Sequence, residues 1–136
     1  MRAVLCKAYG PIDDLVVEEV ASAPLEAGQV RLKVAACGVN FPDVLITQGK
    51  YQFKPEPPFS PGGEVAGTVA EVAPDVTGFA VGDPVIATTT WGGFAEEIVT
   101  TPDRLMRRPD TMDEVTAAGF AITYGTSYHA LVQRVI

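Results

Sequence analysis

Gln29-Val30-Arg31-Leu32-Lys33-Val34-Ala35-Ala36 alternates apolar and polar side chains with a period of two. Val30, Leu32 and Val34 fall on one face and Arg31 and Lys33 on the other, the pattern of a half-buried strand. Such a face needs a sheet around it, and the flanking sequence offers further strands. Arg2–Tyr9 runs into the Gly10-Pro11 turn, and Leu15–Val20 ends at Ser22-Ala23-Pro24. Glu64–Val72 carries the β-branched Val65, Val69 and Val72, with Gly67 marking a bulge or a close backbone approach. Pro84–Thr89 and Phe94–Thr100 read as two more strands flanking Trp91-Gly92-Gly93. Between Cys37 and Gly63 the pattern breaks down. Pro42, Pro55, Pro57, Pro58 and Pro61 exclude most ladders there and leave room for a helical turn over Asp43–Thr47. A long irregular stretch inside a compact domain tends to be functional.

After Pro109 the character changes. Thr111-Met112-Asp113-Glu114 matches a capping box, with Thr111 as the cap of a short helix through Ala118. A second helix is expected over Thr126–Val135, with Tyr128, Leu131, Val132 and Val135 on one side. It has no Gly, Asn or Pro to stop it, which predicts a neighbour beyond Ile136. Short strands at near-regular spacing, followed by helices, predict a mainly β domain with terminal helices, built like a barrel and occupying residues 1–136.

Length and charge narrow the function. A chain of 136 residues fits one domain, which can bury about 68% of its unfolded surface. The net charge of −7 opposes a nucleic-acid surface, since phosphate binding needs clustered Lys and Arg. The first ten residues hold no signal-like apolar region, and no apolar run approaches the ~20 residues of a membrane helix. Cys6 and Cys37 form no C-x-x-C pair, and two reduced thiols in a cytoplasmic protein account for them.

Five strings resemble the quinone oxidoreductase branch, ζ-crystallin included, of the medium-chain dehydrogenase/reductase superfamily. They are Ala36-Cys37-Gly38-Val39-Asn40-Phe41-Pro42-Asp43, Gly49-Lys50-Tyr51, Pro61-Gly62-Gly63-Glu64-Val65-Ala66-Gly67, Val76-Thr77-Gly78-Phe79-Ala80-Val81-Gly82-Asp83 and Tyr124-Gly125-Thr126-Ser127-Tyr128-His129-Ala130-Leu131. Their order and spacing match over essentially the whole chain. The resemblance implies a GroES-like, partly open β-barrel that precedes a Rossmann cofactor domain, with the active site in the cleft between them. The sequence contains no G-x-G-x-x-G and no strand–Gly-loop–helix unit to present amides to a pyrophosphate. The Rossmann partner is therefore expected to be missing, and NADPH to bind only in the intact parent.

The resemblance also bears on zinc. In zinc alcohol dehydrogenases of the same superfamily, a ligand Cys falls where this sequence has Asn40, and a ligand His where it has Gly63. A glycine offers no ligand and an Asn amide a poor one, whereas catalytic zinc needs three protein ligands. The four-cysteine lobe of the structural zinc is absent as well, since Gly82-Asp83-Pro84-Val85 leads directly to Trp91-Gly92-Gly93-Phe94. His129, the only histidine, falls on the last helix and reads as a surface or packing residue. No zinc is expected. Without that Lewis acid, hydride must meet an acceptor already electron-poor by conjugation, a quinone or an α,β-unsaturated carbonyl.

Four residues are candidates for the site, and no catalytic acid or base is assigned. By resemblance the Asn40 amide lies near the nicotinamide and the acceptor; alternatively it satisfies turn backbone groups. Asp43, one helical turn on, could orient Asn40 or cap that turn. Tyr51 offers a flat acceptor an apolar face and a hydroxyl, or else packs the loop. The family often has a second aromatic hydroxyl six positions earlier, where this chain has Leu45, which leaves the acceptor open. Thr126 is expected to open the last helix; by resemblance it bonds the nicotinamide carboxamide, and alternatively it caps amides. Trp91 reads as a packing or hairpin residue. Beside the reductase reading stand a free-standing GroES-like protein-interaction module and, within the enzyme class, an acyl-CoA enone reductase fragment. The resemblance also leaves room for a homodimeric parent.

Overall fold

The alternating stretch becomes the centre of a five-stranded antiparallel sheet in the computed structural model, which describes residues 1–134. Its strands are β3 (Val30–Gly38), β4 (Glu64–Val72), β5 (Pro84–Thr88), β6 (Glu97–Thr100) and β7 (Leu105–Arg107), in the order β6-β3-β4-β5-β7. Val30, Leu32, Val65, Val69 and Val85 meet on one face as the main core. Each side chain of that size contributes roughly 1.5–3 kcal/mol by leaving water. On the other face Arg31 bridges Glu71 at 3.0 Å and Glu97 at 3.5 Å, tying β3 to both neighbours.

Gly67 is where two backbones close up. The β3–β4 register slips between Val34 and Ala36, and a Cβ at Gly67 would stand 2.1 Å from the Lys33 carbonyl oxygen. The expected close approach is therefore present, and it faces a bulge on the partner strand.

A second, two-stranded sheet pairs β1 (Arg2–Leu5) with β2 (Val16–Glu19). It joins the rest through bridges at Ala3–Ala95 and Cys6–Phe59, leaving the barrel partly open. This explains two shortened strands. Phe94 and Glu96 also bond β1, so the regular β6 ladder begins only at Glu97; β1 ends at Leu5 because Cys6 turns to Phe59. β7 has no sequence signature, being three residues between Pro102 and Pro109.

Both terminal helices differ from expectation at their starts. The short helix α2 (Glu114–Ala118; α1 lies earlier, in the Cys37–Gly63 stretch) is capped by Asp113, not Thr111. The Asp113 carboxylate accepts from both the amide and the hydroxyl of Thr116, at 2.8 and 3.0 Å. Glu114, freed from a box, lies 3.3 Å from Arg108. The last helix, α3, spans Ala121–Tyr128 and widens into a π-turn over His129–Gln133. It starts five residues before Thr126, because its first turn finds a buried acceptor described below. The expected end of that helix at Val135 lies outside the described residues. Among those residues, no helix is long and apolar enough to cross a membrane.

Candidate functional site

Glycines dominate the region where β3 and β4 end side by side. Gly38 pairs with Glu64 across the ladder, and a Cβ there would meet the Ala118 carbonyl oxygen at 2.3 Å and Glu64 Oε2 at 3.0 Å. The bare end of β3 thus admits both the C-terminus of α2 and the Glu64 side chain. Ala66, two residues on and on the same face of β4, packs with Ile86, Ala117 and Ala118.

From this end the chain turns into α1 (Phe41–Thr47), with Asn40 in extended conformation as its N-cap and Pro42 in the first turn. Here the structure brings two predicted residues together. The Asn40 backbone amide donates to Asp43 Oδ2 at 2.8 Å, completing a capping box. Asp43 therefore caps the turn and fixes Asn40 at the same time. Burial raises the Asp43 carboxyl above its ordinary range, while amides of Asn40 and Gly62, then Gly63, pull it back; the nearby Glu64 charge adds to the rise.

The residue that sequence reasoning missed is Glu64. It is 1% exposed, yet both carboxylate oxygens are engaged. Oε2 accepts from Asn40 Nδ2 at 3.0 Å, and Oε1 accepts from the Ile122 backbone amide at 2.9 Å. Ile122 lies in the first turn of α3, whose N-cap Phe120 provides no side-chain acceptor. A buried acid from β4 thus satisfies an orphan amide of the helix. The signal was available: an acid opening the apolar run Val65-Ala66-Gly67, directly after Gly62-Gly63.

Thr126 is one turn beyond Ile122 on the same face of α3, inside the helix and exposed. The capping role considered for it fails, because the helix starts earlier. Tyr51 is half-buried, packs against the Cys6, Ile46 and Phe59 cluster and meets Phe53 edge-on at 5.9 Å. Among the described residues no hydrogen bond joins Tyr51 or Thr126 to Asn40. Trp91 is 41% exposed at its turn, more open than a packing residue. His129 is a surface residue, within 2.8 Å of Gln133 Oε1.

Cys37 completes the floor. Its sulfur would lie 2.9 Å from a Cβ at Gly62 and 2.8 Å from one at Gly93, so both glycines leave it room. Burial pushes its thiol up to about 12, which leaves it protonated and unreactive near neutrality. A side chain at Gly63 would begin with a Cβ 2.8 Å from the Thr89 carbonyl oxygen, so the backbone does not accept a ligand there as it stands. Among the described residues no cluster of three His, Cys, Asp or Glu could hold a metal ion.

Residues 26–110 match the family model of the alcohol dehydrogenase GroES-like domain. The quinone oxidoreductase-like protein 2 homolog of Nematostella vectensis is 45% identical over 98% of this chain and 36% of its own length. Among solved structures, a probable oxidoreductase from Mycobacterium abscessus superposes with a TM-score of 0.90 at 37% identity, covering 96% of this chain and 42% of that one. The quinone oxidoreductase of Thermus thermophilus, solved alone and with NADPH, gives a TM-score of 0.82 at 32% identity, over 98% of this chain and 41% of that one. The chain thus spans about two fifths of the length of the relatives it matches. On the domain match and the open two-sheet barrel, the chain belongs to the alcohol dehydrogenase GroES-like domain family, and the relatives it resembles are quinone oxidoreductase-like proteins.

Proposed function

We propose that residues 1–136 form the substrate-side wall of a cytoplasmic oxidoreductase that reduces a quinone or an α,β-unsaturated carbonyl with NADPH and without zinc. The observation that carries this reading is the buried Glu64, which joins the Asn40 turn to the start of α3. That pair of bonds links the Asn40 amide side chain to the first turn of the helix that carries Thr126, which supports reading Asn40 and Thr126 as parts of one site for a nicotinamide carboxamide and an acceptor oxygen. A relative solved with NADPH supports the choice of donor.

The residues fit the nicotinamide end of the cofactor only, since no glycine-rich strand–loop–helix is present for the pyrophosphate. When bound, NADPH supplies a hydride, one hydrogen with two electrons, and a solvent proton completes the reduction to the hydroquinone or the saturated carbonyl. Asn40 and Thr126 would position donor and acceptor, Tyr51 would offer its ring to a flat acceptor, and Asp43 would hold Asn40. Positioning of this kind can supply much of the rate. The donor set does not fit zinc, because Asn40 and Gly63 stand where ligands would be needed.

The test is to express the complete reading frame encoding this chain and follow NADPH oxidation with 1,4-benzoquinone and with a simple enone. Turnover of either that is insensitive to a zinc chelator is expected, with none from residues 1–136 alone. No turnover of any quinone or enone by the complete protein, or full turnover by residues 1–136, sinks the reading.

A further inference from the structure

We propose that Glu64 is a positioning residue: it locks the Asn40 amide so that a single side-chain N–H is left for the acceptor's oxygen, and it ties that lock to the first turn of α3. The inference rests on the functional reading above and deepens it.

The Asn40 amide has one acceptor end and one donor end with two hydrogens. A carboxylate only accepts, so Glu64 must meet the amino end, as the 3.0 Å bond to Nδ2 records. At the start of α1 the Asp43 amide donates to the Asn40 backbone carbonyl at 3.0 Å, and the Asp43 carboxylate accepts from the Asn40 backbone amide at 2.8 Å. The amino end is thereby assigned, and one Nδ2 hydrogen remains on a half-buried side chain. A lone fixed donor suits an oxygen that gains negative charge as hydride arrives on its conjugated system. It offers nothing to a ligand whose contacting atom is itself a donor.

Glu64 is held only by N–H groups. No Lys, Arg or His pairs with it among the described residues, so its buried charge depends on Asn40 and on the positive end of α3. Withdrawing either partner burdens the other. The Asn40 turn and the helix carrying Thr126 are therefore coupled through one side chain.

Two variants of the complete protein separate positioning from structural support. In Glu64→Gln the new carbonyl must face the Ile122 amide, which cannot rotate, so the new amino end confronts the amino end of Asn40. The lock breaks. We expect kcat to fall on the order of 10–100-fold, toward the loss seen when an oxyanion donor is removed, with KM changing only a few-fold. The exchange Asn40→Asp with Glu64→Gln keeps the charge of the pair and restores every contact. The amide introduced on β4 donates to the carboxylate introduced at the N-cap, and its carbonyl accepts from the Ile122 amide. This pair leaves no donor for the acceptor. We expect its melting temperature to return to the wild-type value while kcat stays low. If kcat recovers with the melting temperature, or if Glu64→Gln keeps the wild-type kcat, the proposal is overturned.

Proton NMR on 15N-labelled wild-type protein gives a readout independent of turnover and of any variant's folding. The two Asn40 side-chain protons should differ strongly in solvent exchange, with the one on Glu64 protected. Equal, rapid exchange overturns the positioning role. If instead the protection is present and no quinone or enone is reduced, the functional reading fails and the lock stands.

Discussion

Along β3 and β4, Val30, Leu32 and Val65 are fully buried, whereas along α3 and the π-turn that continues it, Tyr124 and Leu131 are 64% and 72% exposed. Both regions are rich in apolar residues. The strands have neighbours on both sides and a core on one face; α3 has a stack of Phe120 on Tyr124 at 5.4 Å and the buried bond from Ile122 to Glu64. Apolar patterning therefore says which face could be covered, and only the packing says whether it is. One buried polar bond and the packing of Ala121 against the Ala66, Ile86, Ala117 and Ala118 cluster hold the start of the helix, while the sheet is oriented by many weak contacts at once.

The contrast can be broken or sharpened by substitution, each measured by urea unfolding of residues 1–136. Leu32→Ala should have the largest effect, a loss of about 2–5 kcal/mol, since it empties the middle of the main core; a loss under about 1 kcal/mol would mean the sheet is not the stabilising centre. Gly67→Ala should cost about 1–3 kcal/mol, because the new methyl meets the Lys33 carbonyl and the backbone must move. A neutral result would show that the bulge opposite is soft.

Asp43→Asn tests the electrostatics at the site end of the sheet. The folded Asp43 carboxyl is raised above its ordinary 3.8 by burial, so its contribution to stability is greatest below 3.8 and is lost as pH rises through the folded value. The wild type should therefore lose stability relative to Asp43→Asn over that rise and run parallel to it above. A difference that grows with pH in favour of the wild type would place the carboxylate in a stabilising site instead. Leu131→Ala should do least, within about 0.5 kcal/mol, as expected of an exposed position. A loss like that of Leu32→Ala would show that the helix face is covered in solution.

How much of this was legible depended on the range of the interaction. β4 and the start of β5 coincide with their sequence readings because period-two burial is a local property, and Gly67 announced a close approach. The capping residue of α2 was misplaced by two positions, since Thr111 and Asp113 are both good caps and only the path of the chain chooses between them. α3 was expected to begin at Thr126 because nothing local starts a helix at Ala121. Its acceptor is Glu64, 58 residues away. Asn40 and Asp43 could be paired from spacing alone, whereas their link to α3 could not.

The alternation around Leu32, the prolines between Cys37 and Gly63 and the five family-like strings were enough to determine a mainly β, GroES-like domain, because short-range sterics and side-chain periodicity act along the chain. Which acid is buried, which amide it turns and which helix it starts were decided only by the tertiary structure. A carboxylate finds its donors through space, and sequence separation places no limit on that choice.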